Sequence, residues 1–280
     1  MKTIGFIDYY ISEWHANNYP SWIKEESDNM GEDFVVKYAW AEKDISPVDG
    51  VSTDEWCAKI GIERCNTIEE ICEKSDYLLI LAPSDPEKHL EYAQKVLSYK
   101  KNTYIDKTFA PDFKTAKKIF EISKRYGTRF FSSSALRYAN ELDELIDSKA
   151  VITTGGGGNL DEYIIHQIEM AVKTLNSKAC EVCVEKQGDN QYISRVFFEN
   201  EKTATMLYSP AYAFSICADT KKGALNKEIA SPFFQGLIAD ILRFYITGEI
   251  SFDCAQTLEV MKIREAIIKG KNSLGERVKI

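Results

Sequence analysis

His166, Glu162 and Lys107 are the residues whose types and spacing could do chemistry together. Oxidising a secondary alcohol takes a base at the hydroxyl, a cation that favours the developing alkoxide, and a hydride acceptor. His166 can serve as the base, because a free imidazole titrates at about pH 6.5. Glu162 stands four residues earlier in EYIIHQIEMAVKTL. On a helix the two share a face, so Glu162 can orient the ring or share its proton. Lys107 ends the stretch NTYIDK. At the carboxyl end of a parallel strand it would point into the crevice where α/β sheets bind ligands.

Plain structural roles stand beside these. A lone histidine is often bonded inside a helical core, and a lysine after a strand is often solvated. Asp106-Lys107-Thr108 at the end of a buried strand weighs against the second role. Glu169, one turn beyond His166, either touches substrate or forms a helix salt bridge. His166 with Glu162 and Glu169 also resembles a metal set. The chain has 3 His in all, and no other lies close in sequence. Hydride chemistry therefore ranks first and no metal ligand is assigned.

These side chains need a scaffold. In the first half, strand patterns alternate with helical ones. The strand patterns are residues 3–7, 34–40, 77–83, 102–107 and 128–136. The helical ones are 12–29 (interrupted near Pro20), 53–61, 67–75, 85–100 and 113–127. Thr53 is expected to cap the short helix at 53–61, and Gly61 and Gly127 to close helices. YLLILAP is a continuous apolar run, as a central parallel strand requires. The pattern predicts an α/β fold with a doubly wound, Rossmann-type parallel sheet over residues 1–137. From 138 onward the pattern changes. A helix is expected at 141–148, a strand at 150–154 and a helix at 162–175. Long alternating runs then fill 178–219, and helices fall at about 231–246 and 253–269. Residues 138–280 therefore read as an α+β domain with a mostly antiparallel sheet covered on one face.

Composition narrows the function. The chain has 280 residues and a formal net charge of −8, which disfavours a nucleic-acid or anionic-membrane surface. No apolar run reaches the roughly 20 residues of a membrane span. Met1-Lys2-Thr3 leads directly into a strand, so no signal peptide is expected. The 7 Cys are odd in number and read as reduced thiols of a cytoplasmic protein. Cys180-x-x-Cys183 lies in a strand pattern and is read as sheet residues, not as a zinc or redox pair.

At NTYIDKTFAPDFKTAKKIFEISKRYGT the chain resembles the Gfo/Idh/MocA family, relatives of glucose–fructose oxidoreductase and inositol dehydrogenase. That family has Glu-Lys-Pro where this chain has Asp106-Lys107-Thr108. LLILAPSDPEKHLEYAQKVLSYKKN resembles the preceding strand, Pro turn and His, represented here by Pro83 and His89. GGGGNLDEYIIHQIEMAVKTL resembles its Gly-Gly…Asp-x-x-x-His-x-x-Asp segment, through Glu162, His166 and Glu169. The resemblance implies a Lys–acid–His catalytic group at Lys107, Glu162 and His166. It implies a nicotinamide cofactor near Asp8, Tyr10, Pro83, His89 and Asp106. It also implies a sugar-like or polyol substrate, and a homo-oligomer formed through the C-terminal sheet.

The first turn departs from the family. A Gly-x-Gly-x-x-Gly turn lets a diphosphate reach bare backbone, but Asp8, Tyr10 and Glu13 occupy those places. They bring charge and bulk. Glu42, past the second strand, can still accept bonds from a ribose, though a solvated loop acid is the plain alternative. No Arg or Lys cluster there suggests a 2′-phosphate, so NAD(H) ranks ahead of NADP, in a displaced pose. A family member that has lost the cofactor and acts on a small carbohydrate remains the alternative. His15 either faces the same crevice or is solvated. Gly155 to Gly158 either approach a ligand or form a tight turn.

Overall fold

The computed structural model describes all 280 residues. They form two compact units, Met1–Ser133 with Ile238–Asp253, and Ser134–Leu237 with Cys254–Ile280.

The first unit holds β1 (Lys2–Asp8), α1 (Trp14–Asn29), β2 (Phe34–Ala41), α2 (Thr53–Ile60), β3 (Glu63–Arg64), α3 (Ile68–Lys74), β4 (Tyr77–Ile80), α4 (His89–Val96), β5 (Thr103–Ile105), α5 (Phe113–Tyr126) and β6 (Phe130–Phe131). Its six strands pair in the order β3-β2-β1-β4-β5-β6, and every pairing is parallel. This is the doubly wound arrangement, with its order reversing between β1 and β4. Ile4, Phe6, Ile7, Leu78, Leu79 and Ile80 have no solvent exposure, as central strands covered on both faces must.

The second unit holds β7 (Ala150–Gly155), α6 (Leu160–Leu175), β8 (Ala179–Gly188), β9 (Gln191–Phe198), β10 (Thr203–Tyr208), β11 (Ser215–Thr220), β12 (Gly223–Glu228), the start of α7 (Phe233–Thr247), α8 (Ala255–Gly270) and β13 (Arg277–Lys279). The sheet order is β12-β11-β7-β10-β9-β8-β13. Only β7 with β10 is parallel, and the rest are antiparallel. α6 packs against β7 and β10, and α8 against β8. No helix is long and apolar enough to cross a membrane.

Several expectations change. The units divide at Ser133/Ser134, not after 137, and Ile238–Asp253 joins the first unit. Side chains explain this. In α7, Tyr245 stacks on Tyr77 at 4.6 Å and donates to the Leu78 carbonyl at 2.7 Å, while Phe244 meets Phe131 edge-on at 5.1 Å. Pro20 does not interrupt α1. Buried Ala16, Tyr19 and Ile23 hold the helix together on both sides of it, so packing overrides the lost amide donor. Ser52, not Thr53, caps α2, in a reciprocal capping box with Glu55. Residues 140–145 form a 3-10 helix where an α-helix was expected. β3, β12 and β13 are short or edge strands with little apolar periodicity to announce them.

Gly5 is where α3 crosses β1 most closely. A Cβ there would stand 2.3 Å from Ser75 Oγ and 2.7 Å from Ile71 Cγ1. Gly5→Ala is expected to cost roughly 1–3 kcal/mol by overpacking, read as a lower urea midpoint with an unchanged m-value.

Candidate functional site

In the first unit, chemically capable side chains collect at the carboxyl edge of the sheet. β1 ends at Asp8, which is 1% exposed. Its Oδ1 accepts from Tyr9 N at 2.7 Å and from Ala82 N at 3.0 Å. The carboxyl thus spans the switch point between β1 and the segment after β4. Its Oδ2 is buried without a partner. Burial first, then the nearby Glu13, pushes the Asp8 carboxyl well above its ordinary range, and the two amides only partly offset this.

Glu13 is the N-cap of α1. Its carboxylate accepts from His15 N at 2.8 Å and from Ala16 N. Burial raises the Glu13 carboxyl, against the pull of His15 and the two amides. His15 Nδ1 contacts Asp106 Oδ2. Asp106 has no solvent exposure. Its Oδ1 accepts from Lys107 N at 2.8 Å and from the Tyr104 hydroxyl at 3.3 Å. Burial alone would raise Asp106, but His15 and Lys107 outweigh it and hold the carboxyl below its usual range. The Tyr19 hydroxyl is buried and unpartnered, and burial with the charges of Asp106 and Glu13 pushes it well up.

The remaining residues expected near a cofactor are placed as follows. His89 is fully buried, with Nδ1 3.0 Å from Phe109 O and Nε2 2.5 Å from Leu81 O. Both nitrogens serve the backbone, so His89 ties segments together and presents nothing to a ligand. Glu42 accepts from Lys88 at 2.5 Å and from Tyr92 OH at 2.8 Å. Burial acts to raise its carboxyl, but these two bonds hold it low. Lys88 and Lys43 also cover the Tyr9 ring, at 5.2 and 4.5 Å. Tyr10 is half-buried beside Tyr9. Pro83 is buried, with its carbonyl 3.5 Å from Lys107 Nζ. A diphosphate fits a turn of bare backbone, and this turn does not supply one. Its helix amides are capped by Glu13, whose charge already raises the buried Asp8 carboxyl.

The second unit carries Glu162 and His166 on α6. Asn159 caps the helix by accepting from Glu162 N at 2.9 Å, and its amide donates to Glu162 Oε2 at 3.3 Å. Glu162 thus takes part in a first-turn cap. His166 Nδ1 lies 2.6 Å from Ser134 Oγ, with the Tyr163 and Phe214 rings 5.8 and 5.6 Å away. Glu169 accepts from Ser134 N at 3.0 Å and from Arg137 Nε at 2.9 Å, so of its two expected roles the salt bridge is the one observed. Ser134 and Arg137 were not foreseen, because SSSALR reads as the end of a strand. The glycine run is consumed by packing. A Cβ on Gly156 would meet Ser209 O at 2.1 Å, and one on Gly157 the Tyr163 ring at 2.0 Å. No cluster of His, Cys, Asp and Glu has the form of a metal site. An open depression of about 510 Å³, lined by residues such as Tyr212, Asn226 and Glu228, contains none of the expected catalytic side chains.

No family model matches the sequence, and no curated protein sequence does. Solved structures do match. A probable dehydrogenase from Thermotoga maritima aligns over 99% of this chain and 98% of its own, with TM-score 0.81 and 13% identity. The myo-inositol dehydrogenase of Lactobacillus casei, in complex with NAD(H) and myo-inositol, aligns over 100% and 96%, with TM-score 0.80 and 11% identity. This chain has the same fold as these two proteins. The UDP-N-acetylglucosamine 3-dehydrogenase GnnA of Acidithiobacillus ferrooxidans aligns over 98% and 99%, with TM-score 0.76 and 9% identity. The expected α/β plus α+β architecture is the one found.

Two outcomes follow from the buried acids. The raised Asp8 carboxyl costs the fold nothing below the unfolded carboxyl range, near pH ~4, and increasingly more as pH rises above it. Asp8→Asn keeps the acceptor and removes the charge. It should raise Tm at pH 8 by about 2–4 °C, the shift of ~1 kcal/mol in a domain of this size, with the gain vanishing towards pH ~4. Arg137→Ala strands Glu169 without its partner and should cost about 3–5 kcal/mol in chemical denaturation, with Glu169→Gln in the same chain restoring part of the loss.

Proposed function

We propose that this chain is an oxidoreductase of the Gfo/Idh/MocA family. It transfers a hydride between NAD(H) and a CH–OH group of a sugar-like or polyol substrate. The observation that carries this is the full-length match to dehydrogenases, one of which holds NAD(H) and myo-inositol. Lys107, held at the carboxyl edge of the first sheet, supplies the cation that favours an alkoxide. His166 takes or returns the hydroxyl proton, with Ser134 fixing its ring. Glu162 adds negative charge at the start of the same helix.

A bound nicotinamide would supply the hydride chemistry; the start of α1, capped by Glu13, would not hold its diphosphate. NAD(H) is preferred to NADP(H), because Glu42 is the acid past β2 that suits a free ribose, which would have to displace Lys88 or Tyr92 from its oxygens. A cytoplasmic setting accords with seven cysteines that form no disulfide, and the sheet of the second unit offers a face for pairing with a second copy. One observation favours a second function. With Glu13 on the helix amides, the chain can have lost nicotinamide and act on a small carbohydrate without redox chemistry.

Titration of the purified protein with NADH and with NADPH, followed by tryptophan fluorescence, decides between them. Saturable binding in the micromolar range is expected, tighter for NADH. His166→Ala should then lower kcat by about a hundredfold or more, whereas unchanged turnover removes His166 as the base. No response to millimolar cofactor, with a response to a sugar, selects the second function.

A further inference from the structure

We propose that Glu13 is a built-in anion that closes the β1–α1 turn: its carboxylate occupies the place on the helix start where a ligand's diphosphate would sit. The inference deepens the cofactor part of the function above and bears on which anions this turn accepts.

The geometry of the turn is explicit. α1 has 16 residues, and Glu13, extended at φ −137° and ψ 172°, caps it. The amides of His15 and Ala16 donate to its carboxylate, and that of Asn17 donates to its carbonyl at 3.0 Å. An incoming anion would find these donors already satisfied, and helix amides with the partial charge they carry are what make such a start attractive to anions. A second and independent feature faces the same place. Asp8 Oδ2 is buried and unpartnered, and the Glu13 charge near it already drives the Asp8 carboxyl towards its neutral form, so the turn tolerates no second charge beside Glu13 in a medium that screens poorly.

The turn is also pinned. Glu13 N donates to Ile11 O at 2.9 Å, Ser12 Oγ to Asp49 at 2.7 Å, and Ser46 Oγ to Ser12 O at 3.1 Å. There is no glycine from Asp8 to Glu13, so no residue of the turn offers bare backbone to an anion. Glutamate is an uncommon N-cap, since Ser, Thr, Asp and Asn are preferred. Glutamate has a charge that Ser, Thr and Asn lack and a longer reach than Asp, the properties needed to stand in for an outside anion.

Calorimetry at pH 7.5 with two probes tests this, inorganic pyrophosphate and NADH, on wild type, Glu13→Gly and Glu13→Ser. The serine variant keeps a favoured cap and guards against loss of the helix in the glycine variant, with circular dichroism confirming the fold. Wild type should show no saturable pyrophosphate binding, and both variants should gain it, at least tenfold tighter. Equal pyrophosphate binding by wild type and folded variants, or none by any, overturns the role of Glu13. The NADH arm reads the cofactor assignment separately. A pyrophosphate gain without NADH binding to any form leaves Glu13 as proposed and removes the nicotinamide. NADH binding that is the same in wild type and both variants, beside a pyrophosphate gain in the variants, keeps the cofactor and Glu13 as proposed, with the cofactor's diphosphate held elsewhere.

Discussion

Asp106 carries its charge at the end of a central strand, out of reach of water, and the contact with His15 is what makes that tenable. An ionised carboxylate in such a place is costly unless it is paired and fully bonded. His15, Lys107 N and Tyr104 OH between them do this. The rest of the sheet's carboxyl edge follows. His15 can reach Asp106 only if α1 begins where it does, and α1 begins there because Glu13 caps it. Asp8 is then left among acids with two amides but no cation of its own, and favours its neutral form.

The second unit solves the same problem with a different pair. Glu169 is buried in the middle of α6 and meets Arg137, which is 5% exposed. Arg137 Nη2 also donates to Gln256 Oε1 at 2.7 Å. Glu169 further accepts from Ser134 N, so the pair holds in place the residue whose hydroxyl meets His166. Charge burial and placement of the candidate base are thus one arrangement. Lys173 extends it, donating to Arg137 O and to Asp143, each at 2.8 Å.

The parallel sheet was legible because its strands are long apolar runs between helical patterns, and the antiparallel one because its strands alternate. β12 and β13 were not, since an edge strand has one neighbour and little need for apolar side chains. The candidate base and cation were legible as residue types in a familiar spacing. The partners that hold them were not: Ser134 and Arg137 come from a 3-10 segment that reads like strand, and His89, expected near the cofactor, turns both ring nitrogens to backbone carbonyls. Asp8 and Glu13 were visible as missing glycines. That Glu13 caps its own helix could not be read, because its side-chain oxygens do not follow the usual cap preferences.

The four glycines before α6 have a consequence of their own. A run of glycine commonly serves as a hinge, yet Gly155, Gly156 and Gly157 are wedged against Phe214, the Ser209–Pro210 backbone and the Tyr163 ring. Tyr208 OH donates to Gly157 O at 2.9 Å and Gln167 Nε2 to Gly155 O at 3.2 Å. The strand and helix they join are therefore welded, and His166 rides on a preorganised support. Drift at these positions would be selected against as loss of fold well before it could change how His166 is held.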